Sequence, residues 1–516
     1  MSSKQIERAI TRRNLLKGLA GGVAAAGLAA CGATPAPTAA PTTAAASTAP
    51  ETQEAPTLAA KEGEATPTAA AAAETPTTAA APAATEVPPP TPTPMQAGNQ
   101  PIKLNWWTAW PDSDSISRLN IMLAAFEQKY PDIGVNFMPG GPGGGDFNEI
   151  LLTRIAAGTA PDAAVIWTPP VTFAARGSLD CIDDLMATAQ YARPDQFYPR
   201  PLATCQWRGK TYGIPYSTSD YVIFYNVDWF KEKGLPTDRA SFPATWDKMR
   251  ELSASFTQWE GSDLKTAGFI PFLVTYWYPL WSAENGSQIF RAADEKYYIN
   301  SKENVEWMNY WLTWLNEEFK GDITYIASLG NWENGGSDNW TQKRAPMAPG
   351  GSWVVPYERM NPKTLGFNWD VAKVPVGPSG TKSYTAFWPN WFVQPLGGKH
   401  RKEAFLLNEY MCCIGIREWD KTVWEPPAYR GLPLDVISQG LIDNVGQEKA
   451  LDINNFMISY LDDSTEVWTS PIEDFATDQL NRAIDQILHK VTPVQAALDQ
   501  AQNACQAQLA QAVKSS

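Results

Sequence analysis

At 516 residues the chain is long enough for two to four domains, and with 44% hydrophobic and 19% charged residues it can bury a large core. Its formal net charge is −14; beyond the first thirty residues 36 basic residues face 54 acidic ones, a net of −18. That balance argues against nucleic acid as a partner, because phosphate neutralisation needs clustered Lys and Arg, and against adhesion to an anionic membrane by charge.

The chain opens on a basic segment, Thr11-Arg12-Arg13-Asn14-Leu15-Leu16-Lys17, followed by a Gly/Ala-rich apolar stretch from Leu19 to Ala30. That stretch is short and rich in small residues for a membrane span. The paired arginines resemble a twin-arginine export signal. Leu28-Ala29-Ala30-Cys31 resembles a bacterial lipobox, which implies lipidation of Cys31 and anchoring to membrane lipid; one acyl chain binds a membrane only marginally, so such an anchor needs more than one. Residues 1–31 therefore read as a lipoprotein signal that puts the rest outside the cytoplasm, on the outer face of the cytoplasmic membrane.

Residues 32–100 are dominated by Ala, Thr, Pro and Glu, with no aromatic residue and Lys61 as the one basic group. Such a composition cannot offset the entropy of ordering a backbone, so a disordered linker is expected. As a coil it would span about 45 Å, and as an extended polyproline chain roughly 200 Å. Thr/Pro-rich tracts also serve as glycosylated stalks.

From Pro101 the composition changes, and all 22 tryptophans lie beyond it. Ile102 to Trp107 alternates as a strand. Ser115 to Lys129 carries Ile116, Leu119, Met122, Leu123 and Phe126 on one helical face. Ile133 to Phe137 is a second strand, and Pro139 to Asp146 a glycine-rich loop. Phe147 to Ala157 is a helix ended by Gly158. Ala163 to Ile166 is a third, wholly apolar strand. This alternation predicts an α/β layer with a mainly parallel sheet. Ligands of such sheets bind beyond the carboxyl ends of the strands, where Trp107, Trp110, Asp112 and Trp167 emerge. Near the C-terminus, Ser470-Pro-Ile-Glu473 and Thr492-Pro-Val-Gln495 read as helix starts.

Six cysteines are present and no CxxC pair, which leaves no common zinc spacing. Cys181 and Cys205 are either a disulfide or two buried thiols. No metal and no cofactor is expected. The Pro139–Asp146 loop has Asp146 in place of the third glycine of a phosphate loop and no following Lys, so it reads as a mobile loop.

Six segments then occur in a familiar order: Phe126-Glu-Gln-Lys-Tyr-Pro-Asp-Ile-Gly-Val135, Ile155-Ala-Ala-Gly-Thr-Ala-Pro-Asp162, Gly209-Lys-Thr-Tyr-Gly-Ile-Pro215, Phe224-Tyr-Asn-Val-Asp-Trp-Phe230, Phe242-Pro-Ala-Thr-Trp246 and Ala345-Pro-Met-Ala-Pro-Gly-Gly-Ser-Trp353. From about residue 102 to 512 the chain resembles the extracellular solute-binding proteins of ABC importers, in the large carbohydrate-binding group that includes maltose-binding protein. The resemblance implies a two-lobed periplasmic-binding-protein fold with a hinge and several chain crossings. It places residues 101–214 and 375–414 in the first lobe, and 215–374 and 415–516 in the second. Crossings are expected near Ile214-Pro215-Tyr216, near Lys373-Val-Pro375 and near Ile414. A ligand must contact both lobes, because it can shift the equilibrium only by its differential affinity for the closed form. The aromatic run around Tyr276, Trp277, Tyr278 and Trp281, and Trp388-Pro-Asn-Trp391, depart from the family pattern.

Sugars offer an apolar face to aromatic rings and hydroxyls to Asp, Glu, Asn and Arg. The candidate ligand residues are Trp107, Trp110, Asp112 and Trp167 on the first lobe. Tyr216, Tyr221, Trp281, Glu284 and Trp353 follow on the crossings and second lobe, with Gly351 in the same motif as Trp353. Trp388, Asn390 and Trp391 lie near the cleft after the second crossing. Core packing is the alternative for each tryptophan, and Trp307, Trp311 and Trp314, at helical spacing, are assigned to the core. Asp162 belongs to a family motif, but an aspartate after proline often bonds backbone instead of a ligand.

The expected function is capture of a mono- or oligosaccharide by a monomer that delivers it to ABC permease subunits. Importer-linked binding of a polyamine or peptide stays open through Asp112, Asp220 and Glu284. So does a surface polysaccharide-binding or sensory protein without transport. Catalysis is not expected: His400 and His489 are the two histidines, neither in H-E-x-x-H, and there is no G-x-S-x-G or P-loop. A glycoside hydrolase needs two carboxylates, which composition cannot exclude.

Overall fold

The computed structural model describes residues 92–142, 146–334, 338–421, 423, 425–432, 438–465, 467 and 469–515. The signal with Cys31 and the linker up to Thr91 lie outside the described residues.

Eight strands form two sheets: β1 (Ile102–Thr108), β2 (Ile133–Pro139), β3 (Ala163–Ile166), β4 (Gly213–Pro215), β5 (Tyr221–Asn226), β6 (Met347–Gly351), β7 (Trp369–Ala372) and β8 (Trp391–Val393). The first sheet has the order β2-β1-β3-β8-β4, and the second β6-β5-β7. β1 pairs in parallel with β2 and β3, as the strand-helix alternation predicts. β8 returns late in the chain and runs antiparallel to β3 and β4, so the sheet is mixed rather than mainly parallel. The second sheet is wholly antiparallel.

Helix α1 (Ser113–Lys129) follows β1 and buries Ile116, Leu119, Met122, Leu123 and Phe126, the stripe read from the sequence. Asp112 is its N-cap, accepting from Ser115 N at 2.8 Å. Helix α2 (Phe147–Ala156) is capped by Asp146, which accepts from Glu149 N at 3.0 Å. It ends before Gly158, whose φ of +68° is the left-handed turn that favours glycine.

Helix α3 (Lys302–Glu318) brings Trp307, Trp311 and Trp314 into the second-lobe core, with Phe272, Tyr278 and Trp281 around them. The rings meet edge to face, Trp307 and Trp311 at 5.0 Å, an arrangement that adds to their burial. The later helices are α4 (Arg401–Tyr410), α5 (Ile416–Asp420), α6 (Gln439–Val445), α7 (Gln447–Leu461), α8 (Glu473–Leu488) and α9 (Val494–Ser515). At Ser470, read as a helix start, only half of a capping box forms: its N–H donates to Glu473 Oε2 at 3.2 Å, while its Oγ accepts from Ile472 N at 3.1 Å. That tight turn delays the helix to Glu473.

Three segments pass between the sheets side by side. Tyr216 N donates to Asn390 O at 2.8 Å, Trp388 N to Ser219 O at 3.2 Å, and Thr218 N to Pro426 O at 2.7 Å. The first of these segments starts at Tyr216. The second falls at 387–390 rather than 373–375, because Val374 and Ala386 are still buried in the second-lobe core. The third falls beyond Ile414, because Ile416, Trp419, Val423, Ala428 and Tyr429 are buried with α1 in the first-lobe core. Helices α6 to α9 then pack on the second lobe.

The folded unit also starts earlier than the composition change suggests, at Pro92. Phe137 N donates to Met95 O at 3.0 Å, and the side chains of Asn120 and Asn136 take the backbone N–H groups of Met95 and Ala97 at 2.9 and 3.1 Å. Residues of linker composition can therefore lie along the β2 edge, because asparagines outside the linker satisfy its backbone.

Cys181, Cys205, Cys412, Cys413 and Cys505 are free, so Cys181 and Cys205 are not paired. The Cys181 thiol instead donates to Asp183 Oδ2 at 3.2 Å. Among the described residues, no helix is long and apolar enough to cross a membrane, and no cluster of His, Cys, Asp and Glu could hold a metal.

Candidate functional site: a cleft between the lobes

A cavity of about 560 Å³ opens between the lobes. The first lobe supplies Trp110 and Asp112 from the end of β1, Arg118 from α1, Trp419 from α5 and Glu425 beyond it. The second lobe supplies Trp353 and Tyr357, which follow β6, and Gln439 and Asp443 from α6. The cavity therefore opens beyond the carboxyl end of β1, where such sheets bind ligands.

The aromatic walls are built from both sides. Trp110 packs against Trp419 at 4.9 Å and Tyr216 at 5.9 Å. The Arg118 guanidinium lies over the Trp419 ring at 5.7 Å, a cation–π placement. Opposite them, Trp353 meets Tyr221 edge-on at 5.8 Å, and Arg359 lies 4.2 Å over the ring of half-exposed Tyr357.

Gly351 makes room for Trp353. A Cβ at position 351 would lie 1.8 Å from the indole ring, although the φ of −117° suits any residue. The penalty of a side chain there is steric, not conformational. Gly351→Ala should keep the fold, push Trp353 out of its place and weaken ligand binding at least tenfold, about 1.4 kcal/mol, in a calorimetric titration. Unchanged affinity would remove Trp353 from the site.

The floor is polar and buried. Glu425 Oε2 accepts from Trp419 Nε1 at 2.9 Å and from Asn390 Nδ2 at 3.4 Å. Burial, against those hydrogen bonds, pushes its carboxyl up to about 7. Burial likewise holds Asp420 well above the usual carboxylate range, and the neighbouring Glu425 adds to this. The Tyr216 hydroxyl and Asp420 Oδ1 are buried without a hydrogen-bond partner among the described residues.

Of the residues singled out from sequence, Trp110, Asp112 and Trp353 line the cavity. Tyr216 and Asn390 stand directly behind it, and Gly351 beneath Trp353. Trp107 and Trp391 are buried in an adjoining apolar cluster with Leu151 and Phe173, Trp388 packs against that cluster, and Trp391 Nε1 donates to Thr204 Oγ1 at 2.7 Å. Trp167 is 44% exposed at the end of β3. Tyr221 and Trp281 are buried in the second-lobe core, Tyr221 stacked on Trp277 at 5.1 Å. Glu284 is buried there too: one oxygen accepts from Tyr384 N at 2.7 Å, the other has no partner, and burial raises its carboxyl well above the usual range. Asp162 accepts from three backbone N–H groups, those of Asn105, Lys399 and His400. It lies at the start of β3, the end opposite the cleft.

Sequence reasoning missed Arg118, Tyr357, Trp419 and Glu425. Arg118 had a signal, since it stands in the second turn of the helix that Asp112 caps. Trp419 and Glu425 had none, because they lie some 300 residues from Trp110 and reach it only through the packing of α5 on α1.

A family model described as bacterial extracellular solute-binding protein matches residues 122–413. A putative binding protein of Brucella abortus is 30% identical over 167 residues, 31% of this chain and 37% of that relative, so the alignment spans just over a third of its length. The fold is similar to that of CpMnBP1, solved with mannotriose bound, with a TM-score of 0.61 at 17% identity over 78% of this chain and all of that one. It is also similar to the GacH receptor of Streptomyces glaucescens, solved unliganded and with acarbose, with a TM-score of 0.61 at 16% identity over 79% of this chain and 98% of the receptor.

Proposed function

The chain belongs to the bacterial extracellular solute-binding proteins, and we propose that its cleft captures a carbohydrate of one to a few rings and delivers it to an ABC importer. The observation that carries this reading is the pairing of aromatic rings from both lobes, Trp110 and Trp419 facing Trp353 and Tyr357, around one cavity with carboxylates at its edge. Rings cover the apolar face of a sugar, and Asp112, Arg118, Glu425 and Gln439 bond its hydroxyls. Because the walls belong to different lobes, a ligand that bridges them favours the closed form. Binding is reversible and no turnover occurs. That structures of the same fold hold mannotriose and acarbose supports a saccharide.

The family works outside the cytoplasm. The twin-arginine-like segment and Cys31 support export followed by lipid anchoring, with the folded unit acting as a monomer beside its permease.

Calorimetric titration of the full chain with mono- and oligosaccharides, a polyamine and a peptide tests the reading. Saccharide binding without hydrolysis is expected. Binding of the polyamine or peptide alone would refute the carbohydrate assignment, and release of sugar products would refute reversible capture.

A further inference from the structure

Glu425 differs from the other carboxylates of the cleft. Asp112, Asp114, Glu358 and Asp443 are exposed at the rim, whereas Glu425 is 9% exposed and still lines the cavity. Its carboxyl is fixed from two sides, by the α5 indole of Trp419 and by the Asn390 amide on the second crossing. A carboxylate held in this way has its orientation set before a ligand arrives, which removes an ordering cost from binding.

The charges that face it come from each neighbouring element. Arg118 on α1 is a cation near enough to favour the charged form, but it acts less strongly than burial and the hydrogen bonds. Asp420 on α5 is a buried acid that Glu425 itself disfavours from ionising. Tyr216 at the end of β4 and Tyr357 on the second lobe both feel its charge. Lys421, the other cation lining the cavity, is engaged by Glu418 at 2.6 Å. The floor thus contains two buried acids and one close cation, and it disfavours a second negative charge.

We propose that Glu425 is the specificity-determining residue of this cleft, reading a hydrogen-bond donor on the ligand, a hydroxyl or an ammonium, and giving up its own proton when the ligand binds. This rests on the cleft being the ligand site. The proton balance is simple: the free protein holds Glu425 largely as the neutral acid below pH 7, the ligand donor stabilises the carboxylate, and the proton leaves to buffer. Affinity for a donor ligand therefore rises with pH until Glu425 is ionised in the free protein as well, and an anionic ligand is rejected.

The test is calorimetry of the full chain with mannotriose, maltotriose and spermidine at pH 6 and pH 8, in two buffers of different ionisation enthalpy, for wild type and Glu425→Gln. The amide keeps an oxygen for Trp419 and Asn390 and cannot titrate. The wild type should bind about tenfold more tightly at pH 8 than at pH 6 and release close to one proton at pH 6. In Glu425→Gln both effects should vanish. A saccharide that binds with no proton release, or with the same pH slope in the variant, overturns the role of Glu425 and leaves carbohydrate capture standing. Spermidine binding alone, with proton release that Glu425→Gln abolishes, supports Glu425 and overturns the carbohydrate. If none of the three binds, both fail.

Discussion

Replacing Asp162 with alanine should lower the stability of the folded chain by on the order of 3 kcal/mol while leaving its affinity for ligand within about twofold. One carboxylate oxygen accepts from Asn105 N at 2.8 Å, the other from Lys399 N at 2.8 Å and His400 N at 3.0 Å. The side chain ties β1, the start of β3 and the turn before α4 into one corner. Removing it strands three part-buried backbone donors, which is costly as far as water cannot reach them. Asp162→Asn keeps one acceptor oxygen, so it can serve Asn105 or the Lys399–His400 pair but not both, and should fall between. Urea denaturation gives the stability and calorimetry the affinity. Intact stability with lost binding would instead make Asp162 a ligand contact.

The second large effect concerns pH. The folded chain should be more stable at pH 5 than at pH 8. Burial holds Asp220, Glu284 and Asp420 well above the usual carboxylate range, pushes Glu425 up to about 7, and raises Glu473 to about 8. Asp220 is the extreme case, since neither of its oxygens has a hydrogen-bond partner among the described residues. For each of these acids the folded form keeps a proton that the unfolded chain releases near pH 4 to 4.5. Stability is therefore complete below the unfolded value and is lost as pH rises through the folded one. For Glu425 alone the window from about pH 4.5 to 7 corresponds to about 3 kcal/mol. Acids that act in the other direction, such as Asp184, held low by the hydrogen bond from Arg401, lose their contribution only below the usual carboxylate range. Scanning calorimetry at pH 5, 6.5 and 8 should show falling melting temperatures. A rise across that series would mean that the buried acids are paired or hydrated in solution.

The parts of the fold that were legible are those decided locally. The buried stripe of α1 and the apolar run of β3 are set by the periods of helix and strand, so their residues announce them. The positions of the second and third crossings were not legible, because they depend on which core claims a given apolar residue. Ile416 and Trp419 suit either lobe by chemistry, and only their packing against α1 assigns them to the first. The same limit applies to the site. Trp110, Asp112 and Trp353, which line the cavity, could be singled out because a strand end and a family motif gave their location. Trp281 has the same ring chemistry and a similar aromatic neighbourhood, yet it is buried among Trp246, Trp277 and Trp311. Trp110 and Trp419, 7% and 2% exposed, are about as buried as Trp281 at 2%; what sets them apart is that they reach the cavity, which no local pattern records.

Residues 93–97 lie against the outer edge of β2, held by Phe137, Asn120 and Asn136. The folded unit thus begins against the first lobe. Under the proposed anchoring at Cys31, a pull along the chain would enter at a strand edge of the first lobe, away from the crossings and from the cavity that Trp353 and Tyr357 line. The second lobe would then be the free jaw and the first lobe the fixed one.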